Sequence, residues 1–519
     1  MTEDDNESPE GPDGRASRRA FLGMGAAAVA TTAVATRAVE AQQPPRRRAD
    51  IGTVTDRLGQ QAHWRSTELR LLRRITMGIT PAEVARIGQL GFTTYLEEQL
   101  NAGSIDDTAN EAALQARYPA FYFTQAQLLA RDAVFWEQCS RPIMRAVIER
   151  AVTSPRQLEQ RMVEFWADHF NIPLSTPRVV DYRDVIQRHA LSTFGDLVRA
   201  SMRSTAMLIY LDQVWNTKYG INENYARELM ELHTVGWDGG YTQADVNALA
   251  RVLTGWTMDS NRNFQYRADY HDFGAKVVMG QVFPARPPAV GTAGMDEAMN
   301  FAEYLIRHPA TARFVSTKLL KWFIRPDPTP AQVTAATQAF TSSNGDIKTV
   351  LRAILTPANL ATAPAKLKRP FHYYVSVVRG TGAVLDAWPD PTQWDGVTGH
   401  LWDNAHAPFS WQTPDGFPDK ADYWAGLMVN RWNAVSSILG NWSGNTPGRY
   451  PRFVPSLYLG TPTPAGVVAE IDRRMFAGEM SPALRSELLA SFGGSPTANA
   501  TQATLAVHLA ACSPDAQYY

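Results

Sequence analysis

The chain has 519 residues, 45% of them hydrophobic and only 19% charged. That is enough apolar surface for one large domain or two or three ordinary ones, and it excludes a disordered acidic or basic chain. The formal net charge of −1 leaves no global field to draw nucleic acid, and the two cysteines, Cys139 and Cys512, exclude a disulfide scaffold or a four-cysteine metal site.

The first elements read as an export signal. Residues 17–22 are SRRAFL, followed by the small, weakly apolar run GMGAAAVATTAVA at 23–35 and a small-x-small VEA at 39–41. The run is too short to span a membrane. Arg18 and Arg19 set directly against it predict a twin-arginine signal over 1–41, with the twin-arginine translocase as partner during export and a periplasmic or secreted location. That route carries folded proteins, often with a cofactor inserted. QQPPRRRAD opens an exposed linker over 42–64. No transmembrane span is expected in the mature chain, and no nucleic-acid partner.

From residue 65 the apolar spacing is mostly helical, which predicts a predominantly α-helical fold: one large multi-helix body over 65–460 and a helical tail over 461–519. Helices are expected at 66–78, at 80–91 with Thr80 capping and Glu83 three residues on, and at 93–103. A longer helical region spans 123–151. At 154–172 Ser154 is the expected cap, Leu158, Met162, Phe165, Trp166 and Phe170 form an apolar face, and Asp168-His169 close the last turn. Two helices follow in 181–212, then one at 223–234 that stops at Gly236. Thr242 and Asp245 form a second capping box. A Gly- and aromatic-rich stretch at 258–292 breaks the pattern and reads as an irregular β-containing insertion. Helices resume at 293–324, 329–340, 346–356 and beyond Pro370, and again near Asp419 after a Pro/Gly loop.

The chemistry concentrates in NENYARELMELHTVGWDGGYTQADVNALARVLTGW, residues 222–256. Helical spacing puts Asn224, Glu228 and Glu231 on one face, with Arg227 four residues before Glu231. Two neighbouring carboxylates need a shared proton, an arginine or a cation. Three readings stay open: an ion-pair clamp between helices, an acid/base pair for hydrolysis or lyase chemistry, and a divalent-metal site in which Asp168 and His169 join Glu228 and Glu231, with His271 as another distant ligand. As a catalytic set the candidates are Glu228, Glu231, Arg227, Asn224 and His271. The carboxylate face should meet Arg251 and the 156–170 helix, with Arg227, Arg251, a protonated histidine or a metal as its cation. A second aromatic-rich loop holds Trp402, His406, Trp411 and Tyr423, suited to stacking on sugar rings or to covering a core. The P-loop, the dinucleotide fingerprint and the G-x-S-x-G elbow are absent.

Several stretches together resemble the bacterial DUF1800 family. They are LLRRITMGITPAEVARIGQLGF (71–92), RQLEQRMVEFWADHFNI (156–172), residues 222–257, YHDFGAKVVMG (270–280), LIRHPATARFVSTKLLKWFI (305–324) and PFSWQTPDGFPDKADYW (408–424). The resemblance implies a predominantly helical, often exported protein and carries over no activity or cofactor. Its typical positions fall here on Asn222, Glu223, Asn224, Arg227, Glu228, Glu231, Gly236, Gly240, Tyr241, Asp245, Arg251, Gly255, Trp256, His271 and Lys276. His233 departs from it, standing where an aromatic is usual. Members often accompany a second exported, sulfatase-like family, which implies an exported sulfatase-like partner and an envelope or polymeric substrate.

Overall fold

Caps and apolar stripes dictate helices, and the computed structural model, which describes residues 64–288, 290–386, 396–440 and 450–519, is predominantly α-helical. The expected signal segment and nearly all of the linker lie outside these residues. Among the described residues the only sheets are two antiparallel hairpins. None of the described helices is long and apolar enough to cross a membrane.

Helix α1 (Thr67–Ile75) begins where the Ser66 hydroxyl accepts the Leu69 N–H. The helices expected at 80–91 and 93–103 are one element, α2 (Pro81–Leu100), bent at Gly91 (φ 74°, ψ 170°). Its Thr80–Glu83 capping box is present. The 123–151 region is shorter pieces followed by α3 (Ser140–Thr153). Next comes α4 (Gln157–His169), which starts without the expected Ser154 cap: the Ser154 hydroxyl donates instead to Asp107.

The 181–212 stretch includes α5 (Phe194–Met202) and α6 (Thr205–Tyr210), preceded by a π-helical turn at Tyr182–Gln187. Helix α7 (Asn224–Glu228) widens into a second π turn at Leu229–His233, and α8 (Gln243–Val252) opens on the Thr242–Asp245 box. The insertion holds two separate hairpins. β1 (Trp256–Met258) pairs with β2 (Phe264–Tyr266), and β3 (Lys276–Val278) with β4 (Gln281–Phe283).

Helices α9 (Met295–Arg307) and α10 (Pro309–Phe323) follow, the second started by Pro309. Helix α11 (Pro370–Thr381) is buried on nearly every side, as an element apolar all round must be. Helix α12 (Met428–Ile438) comes after the Pro/Gly loop. The tail helices Pro464–Ile471, Pro482–Ala490 and Ala500–Cys512 bury Val467, Leu488 and Val507 in the same hydrophobic core.

Candidate active site

The polar face of residues 222–256 divides into two groups. The first is a clamp. Glu223 Oε2 accepts from Arg227 Nη2 (3.2 Å) and Gln243 Nε2 (2.6 Å), and its Oε1 accepts from Asn247 (3.0 Å). This ties α7 to α8 and engages Arg227 Nη2, which also donates to Gln243. Asn224 stays on the same side: its N–H donates to Asn222 Oδ1 (2.9 Å) and its amide lies 3.5 Å from Asp212. Below, Asn216 and Gln213 donate to the Ala250 and Leu253 carbonyls at 2.8 Å.

The second group is Glu228 and Glu231, which the clamp leaves out. Arg251 does not reach them. It donates to Asp272 instead (2.7 Å), because the insertion brings that carboxylate to the end of α8. Glu231 accepts from the Tyr241 hydroxyl at 3.0 Å. No salt bridge reaches Glu228 among the described residues. Burial pushes its carboxyl above the ordinary value, and the negative charges of Glu231 and Asp415 push the same way against Arg227. The π turn explains the division. The Thr234 hydroxyl donates back to Leu229 O, five residues away, which turns His233 inward against the Phe170 ring (5.0 Å) and leaves the carboxylates half-exposed. The face that meets α4 is therefore His233, not the carboxylates.

Asp415 arrives from the facing loop. Gly416 has φ +76°, and a Cβ there would stand 2.3 Å from the Asp168 carbonyl, so only glycine lets the loop close on α4. Asn171 donates to the Trp411 and Thr413 carbonyls (3.2 and 2.7 Å), and the Tyr210 hydroxyl to Gln412 O (2.7 Å). Asp415 itself accepts from Trp411 Nε1 (3.0 Å) and the Thr413 hydroxyl. Its charge acts on Glu228, Tyr210 and Lys318 alike.

Lys318 Nζ lies 2.9 Å from His169 Nδ1, and His169 Nε2 lies 3.0 Å from the His233 carbonyl. Burial, then Lys318 and His233, hold His169 well below its ordinary value, so the ring is neutral. Its Nε2–H therefore donates to the carbonyl and its Nδ1 accepts from the lysine, a tautomer assigned from these contacts. Burial pushes Lys318 down to about 8, against the pull of Asp168 and Asp415. Burial also raises Asp168 to about 6, although Arg369 bridges it to Glu164. The Arg369 guanidinium lies 4.3 Å over the Trp322 ring. Gly236 (φ +84°) packs so closely on Phe314 that a Cβ would stand 2.8 Å away, and the neighbouring Trp237 is 79% exposed.

The arrangement sets Lys318 against His169 and within electrostatic reach of Asp168 and Asp415, and Asp415 within reach of Glu228. It does not bring in His271, which is fully buried, with Nδ1 2.9 Å from Thr254 O and Nε2 3.6 Å from Glu297. Nor is the four-residue metal set a ligand cluster: among the described residues no group of three or more His, Cys, Asp or Glu is placed to hold a metal ion. Asp168 is bound to Arg369, and both His169 nitrogens are occupied. In the second aromatic loop His406 is core, accepting the Phe371 N–H at 3.0 Å, while Trp402 and Tyr423 stay exposed.

A family model described as a protein of unknown function, DUF1800, matches residues 70–518. The chain belongs to the DUF1800 family. No curated protein and no solved structure matches it. The match runs through the tail, well past residue 424, where the last resembling stretch ends. In this DUF1800 chain Asp168 also lines a cavity of about 60 Å³, with Glu164, Asn171, Arg178 and Phe409, which is room for a few waters.

Lys318 and Asp415 were missed from the sequence. Lys318 had a signal: Thr311, Val315, Lys318 and Trp322 lie on one buried helical stripe, where a lysine is out of place. Asp415 had none beyond its turn, PDG.

Proposed function

We propose that this protein is an exported hydrolase that cleaves a glycosidic bond in an envelope or polymeric saccharide, with Glu228 as general acid and Asp415 as the facing carboxylate. The observation that carries the reading is Glu228: half-buried, without a salt bridge, raised by burial, and opposed by Asp415 from a different element. Two carboxyls on one helix suit such chemistry poorly. Two carboxyls from different elements, one raised by burial and the other exposed, suit it better. In this reading Asp415 takes the part of base or nucleophile. Lys318, which burial pushes down to about 8 against the pull of Asp168 and Asp415, brings an amine within electrostatic reach of Asp415. Exposed Trp237 and the partly exposed Trp411 offer ring faces for a sugar.

Export through the twin-arginine translocase rests on SRRAFL at 17–22. Replacing Arg18 and Arg19 by Lys should leave precursor in the cytoplasm, and unchanged export would overturn it. The activity is tested on purified sacculi, soluble polysaccharides and aryl glycosides by release of reducing ends or aglycone. Glu228→Gln and Asp415→Asn should each lower turnover by about 10²-fold or more with the fold intact. No hydrolysis of any of these, or full activity in both variants, would refute the reading. The alternative, a binding or assembly protein, is favoured by the Glu223–Arg227–Gln243 clamp. It predicts saccharide binding without cleavage, unaffected by Glu228→Gln.

A further inference from the structure

Away from Glu228, a cavity of about 30 Å³ lies between the start of α11 and residues 515–519, lined by Arg73, Lys368, His372, Ser376, Asp515 and Tyr519. Lys368 Nζ donates to Ser376 Oγ (3.1 Å) and the Ala516 carbonyl (2.9 Å), both neutral, and no ion pair reaches it among the described residues. An ammonium has three protons to place, so one is left over. Burial pushes this amine down to about 7, and the charges that act on it, Arg73 and Arg431, are both positive.

Two acids lie nearby, and the charge of Asp515, which lines the cavity, acts on Arg73 and not on Lys368. Glu479 pairs with Arg73 (3.3 Å), and Asp515 accepts the Ser481 N–H (2.9 Å). His372 is 2% exposed, and neither ring nitrogen makes a hydrogen bond of normal geometry; the Thr76 carbonyl only pulls weakly on the ring. Burial and the charges of Arg161, Lys368 and Arg369 hold it well below its ordinary value, so it is neutral and carries one N–H to offer. Buried donors without acceptors are costly, and native interiors rarely keep them.

We propose that this cavity binds a small monovalent anion of halide size, held by Lys368 Nζ and the His372 N–H. An anion there takes the unused ammonium proton, satisfies the imidazole and screens Lys368 from Arg73 and Arg431. The volume holds about two water-sized particles, which suits chloride and is tight for a phosphate ester.

The test uses the full mature chain. Crystals soaked in sodium bromide should give an anomalous peak within hydrogen-bond reach of Lys368 Nζ. Melting should be several degrees higher in sodium chloride than in sodium gluconate at matched ionic strength. That shift and the peak should vanish in Lys368→Met and in His372→Gln, either of which suffices if the other fails to fold. No peak, equal melting in the two salts, or a peak that survives both substitutions would overturn the proposal.

Discussion

Two groups of charged side chains in this molecule use the same residue types and reach opposite outcomes. His271, Lys276 and Glu297 are sealed: all three side chains are 0% exposed, with Lys276 Nζ 2.8 Å from Glu297 Oε2. Burial pulls the Glu297 carboxyl up, but His271 and Lys276 more than offset it, and the net direction is down. Glu228 has the reverse history, with burial and two neighbouring carboxylates raising it and no ion pair to answer them. The sealed group pins the insertion to the first turn of α9. The open group leaves its charges unanswered. Partners, not residue type, separate a structural cluster from a chemically poised one.

The contrast breaks first where a sealed partner is removed. Lys276→Met leaves Glu297 buried without its ammonium, which should cost about 3–5 kcal/mol in urea unfolding. A loss below about 1 kcal/mol would mean that water enters the cluster and that it is not sealed.

Lys318 gives a smaller effect with a definite pH signature. Its amine sits at about 8 in the folded protein against an ordinary 10.5. In the unfolded chain it binds its proton more readily, so wild-type stability should rise as pH climbs from 8 to 10.5 and show no Lys318 contribution to the slope below that window. Lys318→Met should flatten this rise by an amount on the order of 1–2 kcal/mol after solvent screening. Identical slopes for the two proteins, in urea titrations across that range, would place Lys318 in water rather than against His169.

Much of this fold was legible because its cues are local. The Thr80–Glu83 and Thr242–Asp245 boxes, Pro309 and the stop at Gly236 each act within a few residues, and all stand where the spacing put them. The site was legible only in part. Spacing put Glu228 and Glu231 on one face with Arg227, but it assumed 3.6 residues per turn, and the π turn at 229–233 breaks that assumption at the decisive place. Arg251 was assigned to the wrong carboxylate because Asp272 comes from the insertion, whose path no periodicity describes. Ser154 had a better acceptor in Asp107, 47 residues away in sequence. Asp415 depends on Gly416 closing onto the Asp168 carbonyl, a contact across the fold that leaves no trace in local pattern.

The smallest expected effect is the most useful for placing Glu228. Its carboxyl is raised in the folded state from an ordinary 4.5, so its ionised form is disfavoured there: the cost is absent at low pH and appears as pH rises through the raised value. Glu228→Gln keeps the shape and removes the charge. At neutral pH it should therefore leave stability within about 0.5 kcal/mol of wild type, on the stabilising side. The difference should fade toward pH 4 as wild-type Glu228 takes up its proton. Removing a group that a fold holds at a cost to its own stability is the usual consequence of substituting in an active site. If Glu228→Gln instead lowers stability by more than about 1 kcal/mol at neutral pH, the carboxylate has a partner that it needs. It would then belong with Glu223 and Arg227 in the clamp, and the hydrolase reading would lose its acid.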